Sequence, residues 1–239
     1  MKLYKKIFLL FSGAMILSSA QGDTINIWMV GDSTMAKKNK SHYPESGWGE
    51  GIKEFVTGNA KVHNHAASGR STLSFINEGR WKNVTDSIKP GDYVIIQFGH
   101  NDEKPNPKIH TDAFGSFKEN LKKFITETRY HKAFPIICSA IVRRHFDGSG
   151  KLKDTHGDYI TAAKQVAAET NVPYIDMEAN SRALISKMGP EKSKSLFTFT
   201  ETKQDSTHLN VEGSKVVAKL FVDDAKKNKI PIAKLFKTK

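Results

Sequence analysis

The sequence predicts a three-layer α/β domain built on a central parallel sheet of about five strands. Short apolar runs rich in β-branched residues alternate along the chain with longer segments of helical period, which is the pattern of successive β–α–β units. Three of these runs end in a polar turn that contains glycine, and open parallel sheets bind ligands at that edge. The 239 residues are enough for one such domain with a core of its own.

The strands and helices follow from the spacing of the apolar residues. Five short runs are predicted as strands, over residues 25–30, 61–66, 93–98, 135–142 and 172–176. Helical spacing predicts helices over residues 48–57, 81–88, 112–130, 157–170, 178–188 and 211–226. Ser71 or Thr72 is placed to cap a short helical turn, and Trp48 is expected to pack in the core. The polar stretch 198–207 is expected to be irregular.

The N-terminus has the composition of a secretory signal peptide. A basic start is followed by an apolar run, residues 7–17, and then by small residues at the usual cleavage positions. We therefore expect residues 1–20 to direct export to the periplasm or the exterior, and residues 21–239 to form a single domain. The apolar run is too short to span a bilayer comfortably, and no other apolar run of the sequence is long enough to cross one. No stable membrane association is therefore expected after the signal is removed. An uncleaved membrane anchor is the alternative.

The net charge bears on the classes of partner, and the cysteine content bears on disulfide bonding. The formal net charge of +12 favours acidic partners such as nucleic acid, anionic lipid or an acidic polysaccharide, although a diffusely solvated basic surface has the same composition. Neither zinc-finger spacing nor a motif of interleaved aromatic and basic residues is present, so no nucleic-acid partner is expected. Cys138 is the only cysteine and lies in an apolar run, which predicts a buried thiol without a disulfide.

Residues suited to the hydrolysis of an ester stand at matching places in the predicted fold. Ser33, in the turn after the first strand, is the candidate nucleophile, and His208 is the candidate base. Asp205 lies three residues before His208, so one short turn brings its carboxylate to the imidazole Nδ1. The backbone N–H groups of Ser33 and Gly69 and the side chain of Asn101 are the candidate oxyanion donors. Because the turns after neighbouring parallel strands meet at one edge, these residues are predicted to converge.

Other polar residues near the same edge are candidates for substrate or metal binding. Arg70, His100 and Arg143 each follow a predicted strand, and we expect them to contact the substrate. His63 and His65 share one face of the second strand, but no third ligand has a suitable spacing. We therefore expect neither a metal nor a cofactor.

Four sequence blocks occur in order across nearly the whole predicted mature chain: Gly31-Asp32-Ser33, Gly69, Gly99-His100-Asn101-Asp102 and Asp205-Ser206-Thr207-His208-Leu209-Asn210. Together they resemble the blocks of the SGNH (GDSL-like) hydrolases. Within that superfamily, four longer stretches resemble the rhamnogalacturonan acetylesterases: Gly-Asp-Ser-Thr-Met-Ala, Gly-Arg-Ser-Thr, Phe-Gly-His-Asn-Asp and Asp-Ser-Thr-His-Leu-Asn.

This resemblance implies a flavodoxin-like sheet, no metal, and the removal of acetyl groups from a pectin backbone. It assigns the triad and oxyanion roles to the residues that the chemistry singles out, namely Ser33, Asp205 and His208, with Gly69 and Asn101. The implied partner is an acetylated acidic polysaccharide or oligosaccharide. One departure concerns how the acidic sugar is held, because Leu73 stands where the resemblance leads us to expect a basic residue.

Three alternatives remain open from the sequence. An SGNH lipase, thioesterase or lysophospholipase needs an apolar acyl channel, and no apolar loop lies near the predicted site. An esterase acting on another acetylated polysaccharide, such as xylan, would use the same triad. A catalytically inactive carbohydrate-binding module would not need a serine, a histidine and an aspartate together. The α/β-hydrolase motif G-x-S-x-G is excluded because Met35 occupies its second glycine position.

Overall fold

A five-stranded parallel sheet forms the centre of the molecule in the computed structural model, which describes residues 24–237. Its strands are β1 (Ile25–Gly31), β2 (Ala60–Asn64), β3 (Tyr93–Gln97), β4 (Phe134–Cys138) and β5 (Tyr174–Ile175). The spatial order is β2-β1-β3-β4-β5, and every neighbouring pair is parallel. The predicted α/β class and the five predicted strands are therefore confirmed. This order reverses direction between β1 and β3, which is where doubly wound sheets open a crevice for ligands.

Seven α-helices accompany the strands within the described residues. They are α1 (Trp48–Gly51), α2 (Thr72–Asn77), α3 (Arg80–Thr85), α4 (Ser116–Tyr130), α5 (Asp158–Glu169), α6 (Met177–Lys192, broken by a non-helical Gly189) and α7 (Val211–Lys227). Short 3₁₀ turns cover residues 40–42, 52–54, 193–196 and 231–235. Ser71 caps α2, because its Oγ accepts the N–H of Ser74 at 3.2 Å. Of the two residues predicted as candidate caps, the structure therefore confirms Ser71.

Several predicted helices have different limits in the structure, and two of these differences have a local explanation. The first was predicted to run to residue 57, but α1 ends after four residues and only a 3₁₀ turn follows. Its glycines serve close packing, since a Cβ on Gly51 would lie 2.3 Å from the carbonyl oxygen of Ser214 in α7. The fourth helix begins at Ser116 rather than at residue 112, because the Asp112 carboxylate accepts the N–H of Gly115 and forms a separate turn.

Both faces of the sheet are covered, which gives the predicted three layers. Along β1, Ile27 and Met29 point into the core beneath α1, α6 and α7, while Trp28 and Val30 point into the core beneath α2, α3, α4 and α5. Trp48 is fully buried, and its Nε1 donates to Gln97 Oε1 at 2.7 Å, so the predicted packing role is confirmed. Cys138 is also buried, and burial raises the pKa of its thiol.

The prediction of an irregular segment over residues 198–207 is wrong. Strand β6 (Phe197–Phe199) and strand β7 (Gln204–Leu209) form an antiparallel hairpin that precedes α7. Strand β7 is polar, and two of its residues, Asp205 and His208, line the cleft described below. It therefore lacks the apolar run by which a strand is recognised.

No helix within residues 24–237 has the length and apolar character needed to cross a membrane. The predicted signal peptide, residues 1–20, lies outside the described residues.

Candidate active site

Ser33 lies in a tight turn at the carboxyl end of β1. The turn is organised by Asp32, whose Oδ1 accepts the N–H and the hydroxyl of Thr34 at 2.9 and 2.8 Å. Asp32 is fully buried, and burial alone would raise its pKa. The neighbouring His100 and the hydrogen bonds from Thr34 outweigh burial and hold the pKa of Asp32 below its ordinary value. The turn that carries Ser33 is therefore organised by a buried carboxylate whose pKa is lowered by these contacts.

A continuous hydrogen-bond chain joins Ser33, His208 and Asp205. Nε2 of His208 lies 2.9 Å from Ser33 Oγ, and Nδ1 of His208 lies 2.8 Å from Asp205 Oδ2. When Nδ1–H donates to a carboxylate, the lone pair of the ring is on Nε2, where it can accept the serine proton. Asp205 Oδ1 accepts the backbone N–H groups of Thr207 and His208. The side-chain and backbone hydrogen bonds from His208, together with that from Thr207, outweigh burial and lower the pKa of Asp205.

The predicted oxyanion donors lie in the turns that follow β1, β2 and β3. Gly69 has φ of +79°, a left-handed conformation that favours glycine. Its N–H and that of Ser33 donate to no backbone carbonyl among residues 24–237. Nδ2 of Asn101 donates to the carbonyl oxygen of Arg70 at 3.0 Å, which links the turn after β3 to the turn after β2. The five residues predicted for the triad and the oxyanion hole all line one cleft: Ser33, Gly69, Asn101, Asp205 and His208.

The cleft is strongly cationic. Its volume is about 630 Å³, and its wall includes the side chains of Lys37, Lys38, Arg70, Arg80, Lys104 and Lys203. The carboxylates in the wall are those of Glu45 and Asp205, and the lining residues with apolar side chains are two alanines. Such a surface attracts anionic ligands and offers little to a long acyl chain.

Of the three residues predicted to contact the substrate, the structure places only Arg70 in the cleft wall. His100 is buried, and its Nδ1 lies 3.3 Å from Asp32 Oδ2, beneath the turn that carries Ser33. Arg143 is also buried, where it forms an ion pair with Glu103 at 2.5 Å and donates to the carbonyl oxygen of His100 at 3.2 Å. Both predictions of direct contact are therefore corrected, because these side chains turn inward and brace the loops behind the cleft.

Glu45, Lys38 and Lys203 form part of the site and were missed by sequence reasoning. The Glu45 carboxylate is nearly inaccessible and forms ion pairs with Lys38 at 2.6 Å and with Lys203 at 2.9 Å. Nζ of Lys203 is also 3.1 Å from Asp205 Oδ2. The two lysines outweigh burial and lower the pKa of Glu45, and the contact with Glu45 raises the pKa of Lys203. Nothing in the sequence distinguishes these residues from the many other lysines and glutamates.

The candidate metal ligands have other roles in the structure. His63 stacks on Trp28 with ring centroids 4.4 Å apart, and its Nε2 lies 2.9 Å from Asn26 Oδ1. In the part of the chain that the structure describes, one group has the composition of a metal site, namely Glu45, Asp205 and His208. Lys203 already contacts both carboxylates of that group, so a cation binding there would have to displace its ammonium.

Comparison with known proteins decides the family. The model of the GDSL-like Lipase/Acylhydrolase family matches residues 29–216. The chain belongs to this family. This membership, together with the acetylesterase relatives described next, makes the chain a carboxylic ester hydrolase.

Its relatives and structural neighbours agree with this assignment. The chain is 35% identical to the rhamnogalacturonan acetylesterase RhgT of Bacillus subtilis, over 87% of this chain and 92% of that protein. It is 30% identical to a rhamnogalacturonan acetylesterase of Emericella nidulans, over 87% and 86%. The structure of protein YxiM of Bacillus subtilis superposes with a TM-score of 0.77 at 27% identity, over 87% of this chain and 58% of that one. The acetylxylan esterase Axe2 of Geobacillus stearothermophilus, at 18% identity and a TM-score of 0.60 over 85% and 94%, shares the fold.

Proposed function

We propose that this family member is a serine esterase that removes O-acetyl groups from acetylated rhamnogalacturonan, with Ser33, His208 and Asp205 as its triad. The observation that carries the proposal is the hydrogen-bond chain from Ser33 through His208 to Asp205 at the wall of a cationic cleft. The names of the two acetylesterase relatives support the same substrate.

In the first half of the reaction, Nε2 of His208 takes the proton of Ser33 while Oγ attacks the acetyl carbonyl carbon. The imidazolium that forms is stabilised by the Asp205 carboxylate, 2.8 Å from Nδ1. The carbonyl oxygen becomes an oxyanion, which accepts from the N–H groups of Ser33 and Gly69 and from Nδ2 of Asn101. Collapse of this intermediate transfers the proton from Nε2 to the departing sugar oxygen and leaves an acetyl group on Ser33.

In the second half, water takes the place of the sugar. His208 removes a proton from the water, whose oxygen attacks the acetyl carbon, and the same donors hold the second oxyanion. The proton then returns from Nε2 to Ser33 Oγ as the C–O bond breaks, which releases acetate and restores the free serine. Every proton in this cycle moves between His208 and an oxygen atom, so the proposed reaction requires neither a metal ion nor a cofactor.

The charge of the cleft supports an acidic polymer over a neutral one. Six Lys and Arg side chains in the wall complement the carboxylates of galacturonate, which a neutral xylan backbone lacks. The scarcity of apolar lining disfavours a lipase, thioesterase or lysophospholipase, for which a long acyl chain must be buried. Acetylated xylan remains the second candidate substrate, because the proposed triad accepts any acetyl ester that reaches Ser33.

Acetate release from matched substrates tests the proposal. The substrates are acetylated rhamnogalacturonan, the same polymer with its carboxyl groups reduced to alcohols, acetylated xylan, and 4-nitrophenyl esters of short and long acids. We expect fast release from the acidic polymer, a lower kcat/KM on the reduced one, and loss of activity on all substrates in Ser33→Ala by a factor on the order of 10⁶. Activity on xylan equal to that on the pectin polymer would remove the substrate assignment, and an active Ser33→Ala would remove the mechanism.

We also propose that residues 1–20 are an export signal that is cleaved after Ala20. The basic, apolar and small-residue regions of that segment support this. N-terminal sequencing of the protein recovered from the periplasm and the medium tests it, and a start at Gln21 is expected. An intact N-terminus on protein that fractionates with membranes would instead indicate an uncleaved anchor.

A further inference from the structure

The carboxamide of Asn101 is held at both ends. Its Nδ2 donates to the carbonyl oxygen of Arg70 at 3.0 Å, and its Oδ1 accepts from Nζ of Lys104 at 2.8 Å. A carbonyl oxygen only accepts and an ammonium only donates, so both contacts require the same orientation of the amide. The carbonyl oxygen of Arg70 accepts from one N–H of Nδ2, so the second N–H is available to donate to a ligand in the cleft.

Lys104 differs from most cationic residues of the cleft in its surroundings. Four of those residues each lie within ion-pair distance of a carboxylate: Lys38, Arg70, Arg80 and Lys203. Lys104 contacts no carboxylate of the described chain, and its ammonium donates to Asn101 instead. The positive charge of Lys104 therefore acts on this amide without being neutralised by an adjacent acid.

A positive charge on Oδ1 strengthens the donor at the other end of the amide. The ammonium draws electron density from the nitrogen toward the oxygen, and hydrogen bonds in series polarise one another in this way. Charge-assisted hydrogen bonds are about twice as strong as neutral ones, so the Lys104 contact also fixes the amide more firmly than a water would. Both effects favour the transition state, because negative charge develops on the substrate oxygen only as the tetrahedral intermediate forms.

We propose that Lys104 is a positioning residue for the oxyanion hole, which acts through Asn101 by orienting and polarising its carboxamide. The inference rests on the proposed function, since it takes Asn101 as an oxyanion donor. Lys104 does not contact the reacting atoms in this account. Its role is distinct from the attraction of a polyanionic substrate by the general charge of the cleft, and the two roles affect different kinetic constants.

Kinetics on a small neutral ester separate these roles. With 4-nitrophenyl acetate, Lys104→Met is expected to lower kcat by about tenfold and to change KM by less than about twofold. Lys104→Arg retains a charged donor and is expected to keep most of kcat. Lys108→Met is the matched control, because Lys108 lies on the same loop, is exposed, and does not line the cleft. Thermal midpoints of all variants verify that each is folded.

A double-mutant cycle with Asn101 tests whether Lys104 acts through that side chain. Asn101→Ala alone is expected to lower kcat by roughly 10²–10³. If Lys104 acts through Asn101, adding Lys104→Met to Asn101→Ala has no further effect on kcat, so the two changes are strongly non-additive. A further tenfold loss in the double variant would show that Lys104 acts elsewhere and would overturn the inference.

Two other results would also overturn it. One is a Lys104→Met enzyme with unchanged kcat on the neutral ester. The other is a defect confined to KM on acetylated rhamnogalacturonan, which would make Lys104 a contact for substrate carboxylates. Ser33→Ala is measured beside these variants, because an active Ser33→Ala enzyme refutes the proposed function itself. An inactive Ser33→Ala enzyme together with an unaffected Lys104→Met enzyme refutes only the role of Lys104.

Discussion

Replacing Asp205 by asparagine changes one oxygen to an NH₂ group and tests how the base is held. Asp205 Oδ1 accepts two backbone N–H groups, so the amide oxygen of an asparagine is required at that position. Its NH₂ group must then stand where Oδ2 was, facing Nδ1 of His208 at 2.8 Å and Nζ of Lys203 at 3.1 Å. Three donors would meet there without an acceptor, unless the imidazole moves its proton to Nε2.

That change of tautomer disables the base. With the proton on Nε2, the ring presents a donor to Ser33 Oγ and has no lone pair for the serine proton. The negative charge that stabilises the imidazolium is lost as well. We expect Asp205→Asn to lower kcat by roughly 10³–10⁴, which corresponds to about 4–5.5 kcal/mol of transition-state stabilisation. The loss is expected in kcat on 4-nitrophenyl acetate, with KM changed little.

The matched control is Asp147→Asn. The Asp147 carboxylate likewise accepts two backbone N–H groups in an exposed turn, but it does not line the cleft. We expect its kcat to stay within about twofold of the wild-type value, since no group involved in proton transfer is altered. A fall of less than tenfold in Asp205→Asn, with the protein folded as judged by near-UV circular dichroism, would refute the role given to Asp205.

Three further predictions concern substrate charge and stability. Raising NaCl from about 0.05 M to about 0.5 M should raise KM on acetylated rhamnogalacturonan several-fold and leave 4-nitrophenyl acetate unaffected, because screening weakens the cleft's attraction for carboxylates; equal effects on both substrates would contradict this. Arg143→Met should lower the free energy of unfolding by about 2–4 kcal/mol in urea titrations, since it leaves Glu103 without its partner, while KM on the polymer stays within about twofold. A selective rise in that KM would restore Arg143 as a substrate contact. Burial raises the pKa of Asp102 to about 6, so the folded state binds the proton of this carboxyl group more tightly than the unfolded state does. The stability that the bound proton contributes at low pH is therefore lost as the pH rises from about 4 to about 6. Asp102→Asn should remove roughly 3 kcal/mol of this pH-dependent loss in the free energy of unfolding. Parallel plots of unfolding free energy against pH for wild type and variant would contradict the raised pKa of Asp102.

The turn residues of the site could be predicted because local sequence determines them. Ser33, Gly69 and Asn101 each follow a predicted strand, and a parallel sheet brings such turns to one edge whatever the details of packing. His208 and Asp205 are close in sequence, so their pairing could be predicted, although both lie in strand β7 and not in the short turn that was expected. These inferences needed the order of the elements and did not need their exact limits.

The contacts that brace the site could not be predicted in this way. Glu45 and Lys203 are 158 residues apart in the chain, and their pairing depends on how the loop after β1 packs against the hairpin β6–β7. His100 and Asn101 are neighbours in one turn, yet one side chain points to the buried Asp32 and the other lines the cleft. Sequence identifies which residues occupy a turn, but the direction of each side chain depends on backbone angles set by tertiary packing.

The three proposed oxyanion donors are each held by contacts within the protein. A donor assists the reaction most when it is already oriented before charge develops, because no free energy is then spent on reorganisation. Each proposed donor here is held by contacts that are already present without a substrate. Asp32 organises the turn of Ser33, the N–H of Ala67 donates to the carbonyl oxygen of Gly31 beneath the Gly69 loop, and the Asn101 amide is held between Arg70 and Lys104. Changes in these supporting residues should therefore lower kcat more than they raise KM, since they misplace donors that matter most once the oxyanion has formed.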